Sequence, residues 1–315
     1  SYLKEYDLLF LLDSSKAFEN VLLEQVAFSL AKTKDKKTMT SLAYLTKSNN
    51  VKEFTEEKKS EIFMNNNTIQ IYKALFSSQF FKKIQLNKTV DNLVEGELGL
   101  AIGRDFFSNE VTDYKLLKGI DIARWRIKQH RYLKNREKLS WGDAKKFLRA
   151  KVICQRLIAH IENPTPHIKI TACYDKEGII ITNTLTAFRL DKSVTEKFWL
   201  GYLNSSFVSW YAYNFIYSRA IRTMDFYSFY IRQIPIPKVI VEKPERQKPV
   251  TEIVNKILAI TKYEDYLENP QKQAKVEEYE RQIDPIRSKL PEATADTQSY
   301  RTSNGVDQLV YVTRK

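Results

Sequence analysis

For twenty residues, Phe198 to Tyr217, this chain carries no charge and is crowded with aromatic rings: FWLGYLNSSFVSWYAYNFIY. Such a stretch has to leave water, either in a bilayer or in a protein core. A bilayer span needs about 20 strongly apolar residues, and Asn204, Ser205, Ser206, Ser209 and Asn214 interrupt this run, with few aliphatic side chains between them. A protein core is therefore the expectation. The tetrapeptide LNSS reads as a helix break: one short helix ends near Leu203, and Asn204 or Ser205 caps a second by accepting a free backbone N–H. In that second helix Phe207, Trp210, Tyr211 and Asn214 recur at i, i+3, i+4 and i+7, a single face suited to packing on a sheet. The run then ends in SRAIRT (218–223), a short arginine loop supported by the rings before it.

A chain of 315 residues, 43% hydrophobic, is long enough to bury two cores. Its 51 Lys and Arg against 38 Asp and Glu leave +13 at neutral pH, which points to a polyanionic partner, nucleic acid first and an anionic membrane surface second. Most of the excess lies in one segment. From Lys118 to His160 there are thirteen Lys and Arg against three acids, with Trp125, Tyr132 and Trp141 interleaved. Basic groups release counterions from phosphates and flat rings stack on bases, so the pattern suits a nucleic acid. The alternative is a solvated basic face with its aromatics in the core. Cys154 and Cys173 form neither a zinc-ligand spacing nor a disulfide framework, which suits a reducing cytoplasm. No signal-peptide pattern opens the chain, and its start in mid-pattern suggests a fragment of a longer protein.

Along the chain, residues 1–35 read as two apolar strands, YDLLFLLD (6–13) and VLLEQVAFSLAK (21–32), which need neighbours they do not themselves supply. Residues 36–88 are polar, with helical periodicity over 68–84, and read as a connecting helical region. In 89–240, KVICQRLI (151–158) and HIKITACYD (167–175) read as strands. KEG (176–178) supplies a turn into IIITNTLTAFRL (179–190), so the last two runs are expected to pair as an antiparallel hairpin. The prolines of IRQIPIPK (231–238) demand an extended edge strand or strap. Residues 241–315 read as two amphipathic helices parted at Pro270, the second stopped near Pro285, followed by a tail with little pattern.

Neither GxGxxG, GxxxxGK[ST] nor HExxH occurs. His130, His160 and His167 have no carboxylate or cysteine at ligand or triad spacing, so no catalytic and no metal residue is assigned. The glycines of EGELGLAIGRDFF (95–107) fit no phosphate loop; Gly99 and Gly103 read as turns, with Arg104 as a possible contact.

The ordered series LVEGELGLAIGRDFF, YKLLKGIDIARWRI, KFLRAKVICQRL, HIKITACYD with IIITNT, LGYLNSSFVSWY and IRQIPIPK resembles the TaqI-like C-terminal specificity domain of adenine-specific DNA methyltransferases and type IIG restriction-modification enzymes. The resemblance covers roughly residues 90–240. It implies a mixed α/β (α+β) target-recognition domain with a small mixed or antiparallel sheet and flanking helices. Residues 1–35 then resemble the terminal strands of a methyltransferase α/β domain, and EEYERQIDPI (277–286) resembles a helix that follows the specificity domain. The family's Asn/Asp-Pro-Pro-Tyr motif and glycine-rich adenosylmethionine loop have no counterpart here, so the resemblance implies a DNA-reading half without its catalytic half. S-adenosylmethionine belongs to that missing domain of the same polypeptide, and this chain is expected to hold no cofactor. The implied partner is double-stranded DNA, met by a monomer in the cytoplasm. Phosphate contacts are expected at Arg124, Arg126, Lys128, Arg131 and Lys134, and further DNA contacts at Arg104, Arg219 and Arg222. A type I restriction specificity subunit or an RNA-binding module of an RNA-modifying enzyme are the alternatives.

Overall fold

Leu116–Leu117 and Ile180–Ile181 are consecutive apolar pairs. In a strand, successive side chains point to opposite faces, so each pair needs apolar cover on both sides. The computed structural model meets that demand. It describes residues 6–15, 25–33, 37–45, 51–58, 88–288, 296–301 and 307–312. Two compact units form, one comprising Ser1–Lys82 with Tyr213–Arg222, the other Lys83–Ala212 with Thr223–Lys315.

In the first unit, strands β1 (Asp7–Ser15), β2 (Gln25–Ala31), β3 (Met39–Leu45) and β4 (Val51–Lys58) form one sheet in the order β2-β1-β3-β4. The β1–β2 and β3–β4 pairs are antiparallel, and β1–β3 is parallel. Leu8, Leu11, Leu42 and Ala43 are buried. The neighbours that the first two strands require thus come from 39–58, where a helical connection was expected. Alternating apolar residues in MTSLAYL already carry the strand period. The helix expected over 68–84 lies outside the described residues.

The second unit holds β5 (Val94–Leu98), β6 (Phe107–Ser108), β7 (Lys115–Leu117), β8 (Arg131–Leu133), β9 (Lys151–Gln155), β10 (Ala172–Asp175), β11 (Ile180–Ile181) and β12 (Leu185–Leu190). They make two four-stranded sheets, an antiparallel β10-β9-β12-β5 and a mixed β11-β7-β8-β6 in which only β11–β7 is parallel. Leu117 and Ile181 enter a core with Ile153, Cys173, Leu185 and Ala187, while Leu116 and Ile180 enter a second core with Leu133 and Ala144. Gly99 permits the crossing between the sheets, since a Cβ there would meet the Thr182 carbonyl oxygen at 2.2 Å.

The hairpin expected between 167–175 and 179–190 does not form, because β9 lies between β10 and β12. Its turn is instead folded around Asp175, whose carboxylate accepts the N–H groups of Glu177, Gly178 and Ile179. Gly178 sits there at φ +74°. This turn sends Ile180–Ile181 to the neighbouring sheet. The Lys151 ammonium closes the loop from inside, pairing with Asp175 and donating to the carbonyls of Phe147 and Ile179 at 2.7 and 2.9 Å. Burial pulls the pKa of Lys151 below the ordinary lysine value against the attraction of Asp175.

After a short helix α1 (Trp141–Lys145), the aromatic run forms α2 (Glu196–Leu203) and α3 (Ser206–Tyr211), the second continued by a π-turn over Ala212–Ile216. Ser205 caps α3, its oxygen accepting the Val208 N–H at 3.3 Å, as the LNSS break implies. Trp199 is fully buried against Phe188, ring centroids 5.5 Å apart. No helix among the described residues is long and apolar enough to cross a membrane. Residues 228–231 form one helical turn, and the extended part of the proline strap is Pro235–Ile236, paired with Lys88–Thr89. Helices α4 (Lys248–Thr261) and α5 (Pro270–Ser288) follow. Pro285 does not stop α5, which runs through it to Ser288. Two paired strands, Asp296–Arg301 and Asp307–Val312, occupy the stretch read as a patternless tail.

Candidate nucleic-acid interface

Thirteen cations within 43 residues cannot all face one polyanion, because a folded unit needs some of them as internal donors. The structure sorts them. In the block KGIDIARW, the Asp121 carboxylate is buried and accepts the Lys118 N–H and the Gln129 amide, both at 2.8 Å. Gly119 donates to Thr184 Oγ1 and accepts from Gln155 Nε2, each at 2.8 Å. Arg124 and Trp125 then form a two-residue turn between Ile122–Ala123 and Arg126–Ile127, with Trp125 in the left-handed region at φ 72°. A bulky residue is costly there and persists only when its surroundings hold it. Trp125 is 2% exposed, its N–H bonds the Ala172 carbonyl at 2.9 Å, and its indole N–H donates to Glu280 on α5.

Arg124 belongs to the same clip. Its Nη2 donates to Glu280 and to the Asn204 carbonyl at 2.7 Å, and its Nη1 to the Ile170 carbonyl at 3.0 Å. Asn204 in turn pairs through its amide with both the N–H and the C=O of Ala172 at 3.1 and 3.0 Å. One arginine therefore ties the turn, the end of α2 and α5 together. Arg124, expected at a phosphate, thus has its guanidinium held by acceptors inside the protein.

Two more of the expected contacts are held internally. Arg126 donates to the Tyr263 and Glu264 carbonyls at 2.7 and 3.3 Å, and Arg131 faces the buried Asp121 at 3.6 Å. Lys128, Lys134 and Arg104 are exposed, with no acceptor among the described residues. The structure brings Arg104 and Lys134 together, since the Lys134 N–H bonds the Phe106 carbonyl at 3.0 Å and the Asn135 amide bonds the Asp105 carbonyl at 2.6 Å. Arg219 and Arg222 belong to the first unit. Ser218 and Arg219 are both left-handed, at φ 48° and 58°, and Arg219 Nε donates to Asn214 Oδ1 at 2.9 Å. Arg219 is half-buried, and Arg222 is exposed. Arg156 pairs with Asp225 at 2.8 Å.

Four positions that the basic pattern did not single out complete the site. Glu280 lies in EEYERQIDPI with no role attached, and Asn204 lies in LNSS, where it reads as a possible helix cap and not as the partner of Ala172. Lys151 begins the strand-like run KVICQRLI, with no role attached in the sequence. Arg136 reads as one of six arginines in the basic segment. Arg136 begins a helical turn after Asn135, itself left-handed at φ 55°. Its guanidinium lies 4.0 Å from the Trp141 ring centroid and 5.0 Å from that of Tyr114. Among the described residues no cluster of His, Cys, Asp and Glu could hold a metal ion.

Residues 114–236 match the family described as the TaqI-like C-terminal specificity domain. The chain is similar to the solved structure of the type IIL restriction-modification enzyme MmeI in complex with DNA, at 10% identity and TM-score 0.49 over 93% of this chain and 44% of that one. It is similar also to the type IIG restriction endonuclease BpuSI, at 11% identity and TM-score 0.39 over 93% and 45% of the two chains. The HsdS subunit from Thermoanaerobacter tengcongensis matches at 13% identity and TM-score 0.30 over 64% and 43%. This chain spans less than half the length of each. No curated protein gives a significant match.

Proposed function

We propose, from the match of residues 114–236 to the TaqI-like C-terminal specificity domain, that this chain reads double-stranded DNA by sequence for a restriction-modification methyltransferase acting on adenine. A separate catalytic domain of the same polypeptide would bind S-adenosylmethionine and transfer the methyl group, and the chain described here would hold no cofactor. Two buried, unlinked cysteines suit a reducing cytoplasm, where the chain would act as a monomer.

The observation that carries the reading is the sorting of charge inside the matched region. The motif residues Gly119, Asp121, Arg124 and Trp125 build the framework, while Lys128 and Lys134 remain exposed around it, as does Arg104 just before the matched region. Methylating a base amino group requires the base to leave the stack, so a rigid companion domain has to hold the opened duplex and read its neighbours. Lysines on phosphates set the register, and groove-edge side chains choose the sequence.

The test is fluorescence anisotropy of the whole chain with mixed-sequence duplex DNA. Three phosphate contacts give a salt slope of about −2.7, so affinity falls about 40-fold between roughly 50 and 200 mM salt. Structured RNA competes poorly, and calorimetry with S-adenosylmethionine gives no saturable heat. Salt-insensitive binding, or preference for RNA over duplex DNA, overturns the proposal.

A further inference from the structure

Six arginines lie between Lys118 and His160. Five have acceptors inside the protein: Arg124 on Glu280, Arg126 on the Tyr263 carbonyl, Arg131 facing Asp121, Arg149 on Glu97 and Arg156 on Asp225. Arg136 is the exception among the described residues: it is exposed, and no carboxylate or carbonyl accepts from it. Yet it is not a loose surface cation. Its guanidinium lies over Trp141 and Tyr114, which meet edge-on at 4.6 Å and pack against the core of Leu116, Leu133, Ala144 and Ile180. The backbone beneath it is pinned too, by the left-handed Asn135 and its bond to the Asp105 carbonyl.

We propose that Arg136 is a base-reading residue that selects guanine. The inference rests on the DNA-reading function above and names a residue that carries its specificity. Two rings against the guanidinium restrict it before any partner arrives, so part of the ordering cost of binding is met in advance. A fixed, planar fork of N–H donors fits a partner with two coplanar acceptors, and guanine presents N7 and O6 in this way in the major groove. Phosphate can also take a guanidinium fork, but exposed Lys134 and Lys138 flank Arg136 with flexible point charges that suit phosphate without a fixed plane. Glu137, adjacent and exposed, disfavours a phosphate but can accept from the amino group of the paired cytosine.

The experiment selects duplexes from a library with a randomised central tract, using the whole chain as wild type, Arg136→Ala and Arg136→Met. The methionine variant keeps an unbranched chain over the Trp141 ring, and thermal melting verifies that both variants fold. Wild type is expected to enrich a motif with an invariant guanine that both variants no longer enrich. Affinity for the selected duplex should fall about 5- to 100-fold in the variants, with affinity for random duplex nearly unchanged. Retention of that guanine by both variants overturns the assignment. A uniform loss on selected and random duplexes makes Arg136 a phosphate contact and also overturns it. Wild type that enriches no motif at all removes the sequence-reading function itself, a failure distinct from the other two.

Discussion

Replacing Glu280 by alanine should loosen the framework from a helix far outside the basic segment. The Glu280 carboxylate accepts from Arg124 Nη2 at 2.7 Å, from Arg124 Nε at 3.1 Å and from the Trp125 indole N–H. Arg124 and Glu280 side chains are 15% and 21% exposed, so solvent replaces the lost partner only in part. Breaking a fully buried pair costs about 3–5 kcal/mol, and this degree of exposure lowers that to about 2 kcal/mol. The indole N–H, buried with Trp125 at 2% exposure, is left without an acceptor, adding about 1–2 kcal/mol. A total of about 3–4 kcal/mol lowers Tm by about 10 °C in a unit of roughly 200 residues. Urea denaturation followed by tryptophan fluorescence reads it directly. Glu280→Gln keeps an acceptor for the indole and should lose about half as much. In a double-mutant cycle with Arg124→Met, coupling of about 1–2 kcal/mol is expected. Loss of less than about 0.5 kcal/mol in Glu280→Ala refutes the argument that α5 anchors the turn.

Other perturbations test the fold and the charge sorting. Lys151→Met leaves Asp175 buried without its cation and should destabilise by about 3–5 kcal/mol in urea; a loss near zero shows that the turn N–H groups alone satisfy the carboxylate. Gly99→Ala drives a Cβ to 2.2 Å from the Thr182 carbonyl oxygen, so the chain should melt at least about 5 °C lower, measured by circular dichroism. Cys154 and Cys173 are fully buried, and burial pushes both thiols well above the usual range. Neither should react with a disulfide reagent at pH 8 until denaturant is added, and prompt reaction of the folded chain contradicts the described core. Lys128→Ala should weaken binding to every duplex alike and reduce the salt slope by about 1, whereas Arg124→Met should lower stability with no change in slope once folded.

Much of this protein is legible in one dimension because its signals are local. The LNSS break with Ser205 as cap, the prolines of the 231–238 strap and the apolar runs of β1, β9 and β12 follow from hydrogen-bonding chemistry and side-chain period within a few residues. Strand pairing is different, because KEG between two β-rich runs licenses a hairpin and cannot reveal that Lys151 is buried beneath the turn and β9 lies between its arms. Charge behaves the same way. Arginines at 124, 126, 131 and 136 are chemically identical along the chain. What separates them is what the fold brings to each: Glu280 for the first, the 263–264 carbonyls for the second, buried Asp121 for the third, and for Arg136 the faces of Trp141 and Tyr114. Composition alone determined that this chain is basic, with +13 at neutral pH. Only the tertiary structure decided which cations are framework and which face solvent, because an arginine's role is set by the acceptors within hydrogen-bonding distance of its guanidinium, and those come from residues up to 156 positions away.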